Sequence, residues 1–224
     1  MVLIFDLDDT LYSERTFVES GIGAVASFGE REFGWSAPDS YQKMISLLDT
    51  QGRGSVFDSW LSEKKVLSQN LVRRCLSVYR SHQPKLSLHE SAKRLLPQLV
   101  NYPLYIVTDG NKIVQHQKVM ALDLQPLFQK IYITHRFGIA KAKPSTYCFE
   151  LIKKRENCDW QDMLYVGDNP AKDFVQIKNK GMHTVRVLTG EHRLKKVSSE
   201  FDAEHTIEDL FSFTDLLYKI EHER

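Results

Sequence analysis

Carboxylates crowd the start of this chain. In MVLIFDLDDTLY an apolar run, Val2–Phe5, stops at Asp6, and Asp8 and Asp9 follow with only Leu7 between. Clustered carboxylates repel one another and cost stability unless a cation or hydrogen-bond donors compensate. Oxygen ligands of this kind suit Mg2+, which takes one or two protein carboxylates and leaves positions for water and phosphate oxygens. Three later stretches carry groups that complete such a site. IVTDGN brings the Thr108 hydroxyl with neighbouring backbone N–H groups, next to Asp109. GIAKAKPSTYCF brings Lys143 just ahead of a helix start marked by Pro144. YVGDNPAKDF adds Asp168 and Asp173, with Asn169 between. A metal, a lysine, a hydroxyl donor and a carboxylate nucleophile together match the needs of phosphoryl transfer.

These groups need a scaffold that gathers them on one edge. Five short apolar runs, Val2–Phe5, Leu104–Val107, Ile131–Ile133, Leu164–Val166 and Thr184–Val187, predict strands covered on both faces, because they do not alternate with polar residues. Between them lie helical segments. Ser87-Leu-His-Glu90 reads as a capping box opening a helix through about Val100, and Thr146–Arg155 and Asp173–Lys180 follow, with Gly181 as a stop. Thr206-Ile-Glu-Asp209 reads as the start of a last helix striped by Leu210, Phe213, Leu217 and Ile220. Strands alternating with helices predict an α/β fold with a doubly wound parallel sheet. In such sheets ligands bind beyond the carboxyl ends of the strands, where Asp6, Thr108, Lys143 and Asp168 all fall.

The stretch from Ser13 to about Pro84 differs. Phe17, Gly21, Val25 and Phe28 recur at helical spacing, as do Tyr41, Met44, Ile45 and Leu48, then Phe57, Trp60 and Leu61, then Leu71, Cys75 and Val78. About four helices are expected, the second starting at Ser36-Ala-Pro-Asp39, with no strand among them. The chain therefore divides into an α/β core, residues 1–12 and 85–224, and an inserted all-helical domain, residues 13–84.

With 224 residues, 42% of them hydrophobic, the chain can bury a substantial core without staples. Its 30 basic and 29 acidic residues leave a net charge of +1, which gives no bulk field for a nucleic acid polymer or an anionic membrane. Phosphate specificity must then be local. The three cysteines, Cys75, Cys148 and Cys158, have no metal or disulfide spacing, and no apolar run is long enough for a leader or a membrane span, so a cytoplasmic protein is expected.

In their order and content, FDLDDT, IVTDG, Lys143-Pro144 and GDNPAKD resemble the four motifs of the haloacid dehalogenase (HAD) superfamily, in its phosphatase branch. The helical insert sits where that family carries its first cap domain, which closes over a Rossmann-type core. The resemblance implies Asp6 as nucleophile, Asp8 as acid and base, Thr108, Asp109 and Lys143 as the phosphate pocket, and Mg2+ held by Asp6, the backbone carbonyl of Asp8 and Asp168, with Asp173 and Asn169 in support. It implies a small phosphorylated metabolite as substrate, with nucleotide monophosphates and sugar phosphates as the leading classes. The dehalogenase branch typically lacks an acid two positions after the nucleophile, so Asp8 speaks for phosphate chemistry.

Blander readings stand beside these. Lys141 shares the loop of Lys143, and the Lys-Pro pairing favours Lys143. The eight histidines show no metal spacing, and Trp35, Trp60 and Trp160 suit helix packing better than base stacking. Arg53, between two glycines, is the candidate substrate contact in the insert, or else a solvated turn residue. A phosphomutase would use the same motifs and the same intermediate. A non-catalytic binding protein of this fold would not need Asp6, Asp8, Lys143 and Asp168 together.

Overall fold

In the computed structural model, which describes residues 1–222, the apolar runs form the strands of one parallel sheet. They are β1 (Val2–Phe5), β2 (Leu104–Thr108), β3 (Lys130–Ile133), β4 (Met163–Gly167), β5 (His183–Val187) and β6 (His205–Ile207), in the order β3-β2-β1-β4-β5-β6. Every residue of β1, β2 and β4 is buried, as uninterrupted apolar strands require. Phe5 lies opposite Ile106 on one side and Val166 on the other. That register brings the strand exits at Asp6, Thr108 and Asp168 to one edge. The order also reverses at β1, which makes the crevice between β1 and β4 a topological switch point, the place where open α/β sheets bind ligands.

The chain divides into two compact units, Met1–Glu14 with Leu86–Arg224, and Arg15–Lys85. In the first, Val2, Ile4, Tyr105, Val107, Phe149, Tyr165 and Phe174 form a core on one face of the sheet. Phe5 meets Phe128 and Phe213 in a second layer. The helices are α5 (Glu90–Leu95), α6 (Lys112–Ala121), α7 (Tyr147–Glu156), α8 (Val175–Lys178) and α9 (Phe213–His222). The expected stripe on α9 is buried at Phe213, Leu217 and Ile220.

The second unit, continuing α1 (Glu14–Phe33), holds α2 (Ala37–Gln51), α3 (Val56–Glu63) and α4 (Gln69–Ser81). Ser36 caps α2 by accepting from the Asp39 N–H, and Pro38 occupies the first turn. Val25, Phe28, Met44, Trp60, Leu61 and Cys75 make the core of this unit. Fully burying one such side chain contributes about 1.5–3 kcal/mol. The ion pairs Lys43–Glu63 and Arg74–Glu32 are exposed, so each adds at most about 1 kcal/mol.

Four local expectations are corrected. Ser87 does not cap α5. His89 stands at that position without a side-chain bond, and Pro97 tightens the end into a 3-10 turn, Leu96–Leu99. Only Val175–Lys178 of Asp173–Lys180 is helical, because Asp173 is drawn into the site. Helix α7 starts at Tyr147, past Pro144. Thr206 and Ile207 belong to β6, paired with Arg186 and Val187, and Asp209 caps the turn that leads into α9. Among the described residues, no helix is long and apolar enough to cross a membrane.

Candidate active site

The Asp6 N–H donates to the Val166 carbonyl at 2.8 Å, which extends the β1–β4 ladder and holds Asp6 at the sheet edge. Asp168 leaves β4 one residue after its end, and the loop turns back so that Asp173 accepts from the Asn169 N–H at 2.9 Å. Gly167 permits this return, since a Cβ there would stand 2.7 Å from the Asp173 carboxylate. Asp6, Asp168 and Asp173 are thereby buried with carboxylate oxygens within 4.8 Å of one another. Lys143 Nζ lies 2.9 Å from Asp6 and 2.8 Å from Asp173, and its side chain is 1% exposed. It also donates to the Tyr165 hydroxyl at 2.8 Å.

With all three ionised, the carboxylates against one ammonium carry two net negative charges, which a divalent cation would neutralise. Burial pushes the Asp6 carboxyl up to about 6, with Lys143 pulling it down and Asp173 pushing it up again. Burial, then the charges of Asp6 and Asp173, push Asp168 up to about 9. An all-oxygen donor set under this strain fits a hard cation such as Mg2+. The protein thus has a buried carboxylate cluster capable of coordinating a divalent metal.

The Asp8 side chain is held elsewhere. It accepts from the Tyr12 hydroxyl at 2.6 Å, Lys118 Nζ at 2.7 Å and Gln115 Nε2 at 2.7 Å. Burial would raise its pKa, but the Lys118 charge and the bonds from Lys118, Tyr12 and Gln115 hold it below the usual carboxylate range. Gln115 reaches Thr108 Oγ1 at 2.6 Å as well, so the first and second motifs share one side chain. The sequence reading missed Tyr12, Gln115 and Lys118. A signal existed on α6, whose buried face combines the polar Gln115 and Lys118 with Val119.

Asp109 turns its carboxylate toward the loop of the third motif, accepting from the Thr134 hydroxyl at 2.6 Å and the Lys143 N–H at 3.1 Å. Lys172 stands 3.7 Å from its other oxygen. Burial opposes ionisation of Asp109, but the Lys143 charge and the Thr134 bond hold its pKa low. Asp9, read as shaping the turn, has φ +53° and accepts from the Glu14 N–H at 2.8 Å. Its backbone carbonyl accepts from the Thr189 hydroxyl. Arg53 lies in the helical unit, exposed, at a cavity of about 250 Å³ also lined by Val18, Ile22, Phe57 and Tyr79.

The pattern of the haloacid dehalogenase-like hydrolases matches residues 3–187. The chain belongs to that family. This HAD-like hydrolase is 30% identical, over 99% of its own length and 94% of the relative's, to the glyceraldehyde 3-phosphate phosphatase of Pyrococcus abyssi. It is 27% identical to the protein of the same name from Methanocaldococcus jannaschii, covering 96% of each chain. In fold it is similar to the putative HAD-hydrolase YfnB of Bacillus subtilis, described as bound to magnesium, with a TM-score of 0.70 at 18% identity over 96% of this chain and 97% of that one.

Proposed function

We propose that this HAD-like hydrolase is a magnesium-dependent phosphatase of a small phosphorylated metabolite, working through an aspartyl-phosphate on Asp6. The observation that carries the reading is the setting of Asp6. Its carboxylate stands at the switch point of the sheet, bonded through Oδ1 to a buried lysine and grouped with Asp168 and Asp173. Bound Mg2+, held by Asp6, Asp168 and the Asp8 carbonyl with Asp173 and Asn169 in support, would keep the anionic nucleophile and the anionic phosphate from repelling each other.

The chain's own groups account for the rest. Asp6 forms a bond to phosphorus as the bond to the leaving oxygen breaks. Asp8 gives that oxygen a proton, then takes one from the water that hydrolyses the aspartyl-phosphate. Such acid–base help is worth roughly 10²–10⁴ in rate. Lys143, the Thr108 hydroxyl and the backbone at Asp109 balance charge on the transferring oxygens. Selection of the substrate falls to the helical cap, where Arg53 is the candidate contact.

The test is phosphate release from glyceraldehyde 3-phosphate, hexose phosphates and nucleotide monophosphates, with and without Mg2+, beside Asp6→Asn. The relatives named for glyceraldehyde 3-phosphate put that triose phosphate first in the panel. Magnesium-dependent release by wild type and none by the variant is expected. Transfer of phosphate to a second sugar hydroxyl, with no free phosphate, would make the protein a phosphomutase instead.

A further inference from the structure

We propose that Tyr12, Gln115 and Lys118 are positioning residues that lock the Asp8 carboxylate in one orientation and present its Oδ2 to the leaving oxygen. The proposal rests on the reading of Asp8 as acid and base. None of the three residues belongs to the four motifs. Their donors divide unequally between the two oxygens of Asp8. Oδ1 accepts from Tyr12 at 2.6 Å and from Lys118 at 2.7 Å, and Oδ2 accepts from Gln115 at 2.7 Å. A carboxylate oxygen has two acceptor sites, so Oδ1 is filled and Oδ2 keeps one for a proton. These donors keep Asp8 largely ionised, so the first half of the reaction runs through the fraction that has taken a proton from solvent on Oδ2: that Oδ2–H bond breaks as the leaving oxygen gains the proton and separates from phosphorus. In the second half Oδ2 takes a proton from the attacking water, whose oxygen bonds to phosphorus.

The cost of the arrangement points the same way. Lys118 is 2% exposed and lies between Asp8 and Glu14, whose oxygen is 2.9 Å away. Desolvating an ammonium in this manner is expensive, and an apolar side chain of similar volume is often as stable there. Its return is orientation. An aspartate has two free torsions, and donors from the first loop and from α6 remove both freedoms. Gln115 is held in turn. Its Nε2 also meets Thr108 Oγ1 at 2.6 Å and the Asp109 carbonyl at 2.8 Å. Gly110, at φ +132°, makes room for it, since a Cβ there would stand 3.3 Å from the Gln115 side chain. The orientation of Asp8 is thus tied to the loop that carries Thr108.

Leaving groups of different basicity test this. In p-nitrophenyl phosphate the phenolate departs without a proton, whereas the alkoxide of glyceraldehyde 3-phosphate needs one. Single-turnover release of each alcohol isolates the first half-reaction. Lys118→Met, Gln115→Met and Tyr12→Phe are expected to slow alkyl ester cleavage at least tenfold, to change aryl ester cleavage less than threefold, and to leave KM within about twofold, as an interaction made only in the transition state requires. Asp8→Asn should show the same split more strongly. Tyr12→Phe removes only a hydroxyl and keeps the test valid if Lys118→Met does not fold. If Asp8→Asn shows the split and the three folded variants slow both esters equally, or neither, the positioning role is overturned. If Asp8→Asn slows both esters equally, the acid role of Asp8 falls, and this proposal with it.

Discussion

Asp6 and Lys143 form a buried ion pair, and their variants should separate function from stability. Burial holds the Asp6 carboxyl at about 6, against an ordinary 3.8. A raised carboxyl pKa means that the folded state binds the proton more tightly than the unfolded chain. The ionised form therefore costs stability above that pKa. Asp6→Asn should abolish turnover while the metal-free melting temperature at pH 7.5 stays level or rises. A fall of several degrees would show that the Lys143 pair outweighs the burial cost. Lys143→Met should do the reverse, leaving Asp6 and Asp173 without their buried counter-charge. A loss of about 3–5 kcal/mol in denaturant unfolding is expected.

At the scale of elements, the site depends on segments that are not regular. The stretch after β5 is anchored by Arg186, whose guanidinium donates to the carbonyls of His192 and Lys195 at 2.8 Å and pairs with Asp202 at 3.1 Å. The first loop docks on this stretch through Asp9, which accepts from the Glu191 N–H. Gly190, at φ +63°, makes the docking possible, because a Cβ there would fall 2.1 Å from the Asp9 carboxyl carbon. Gly190→Ala should lower stability by about 1–3 kcal/mol, from both the clash and the left-handed backbone, as read by denaturant midpoint. In the helical unit Gly21 has a parallel role. A Cβ there would meet the Tyr79 ring at 2.5 Å, so α1 and α4 approach closely at that point.

For the whole molecule, two conditions should govern stability. The first is divalent metal. A cation that binds the folded carboxylate cluster and not the unfolded chain stabilises by about 2.7 kcal/mol at a hundred times its dissociation constant. Mg2+ should raise the melting temperature, a chelator should reverse the rise, and Asp168→Asn should remove most of it. The second is acid. Burial lowers the pKa of His82 in the helical unit and of His89 in the α/β unit below 6.5. The unfolded chain takes up protons on these histidines first, so their contribution to stability is full above about pH 6.5 and is lost as pH drops below it, until the folded-state values are reached. The raised carboxyls of Asp6 and Asp168 drift the other way in both proteins, so the histidine share is read as a difference: His82→Gln with His89→Gln should gain melting temperature relative to wild type as pH falls from 7 to 5. Equal slopes in wild type and the double variant would remove both histidines as the cause.

What the sequence determined by itself follows from period and local chemistry. Continuous apolar runs such as Val2–Phe5 and Leu104–Val107, too short for a helix and ended by polar residues, suit strands buried on both faces, and the register of a parallel sheet then brings Asp6, Thr108 and Asp168 to one edge. The helical spacing of Phe17, Gly21, Val25 and Phe28 likewise left little choice for the insert. The short strand His205–Ile207 was illegible, because three residues carry no period, and only pairing with β5 makes them a strand. The capping box at Ser87 failed because backbone context decides which residue caps a helix, and a serine three residues before Glu90-Ser-Ala-Lys93 fits several registers. The acid cluster was visible in the sequence, but the division of labour within it was not. Asp173 joins Asp6 and Asp168 while the Asp8 carboxylate turns to Tyr12, Gln115 and Lys118. Those partners lie up to 110 positions apart. Polar residues on one face of α6 hint at a buried partner, but only the packing of α6 against the first loop decides which carboxylate they reach.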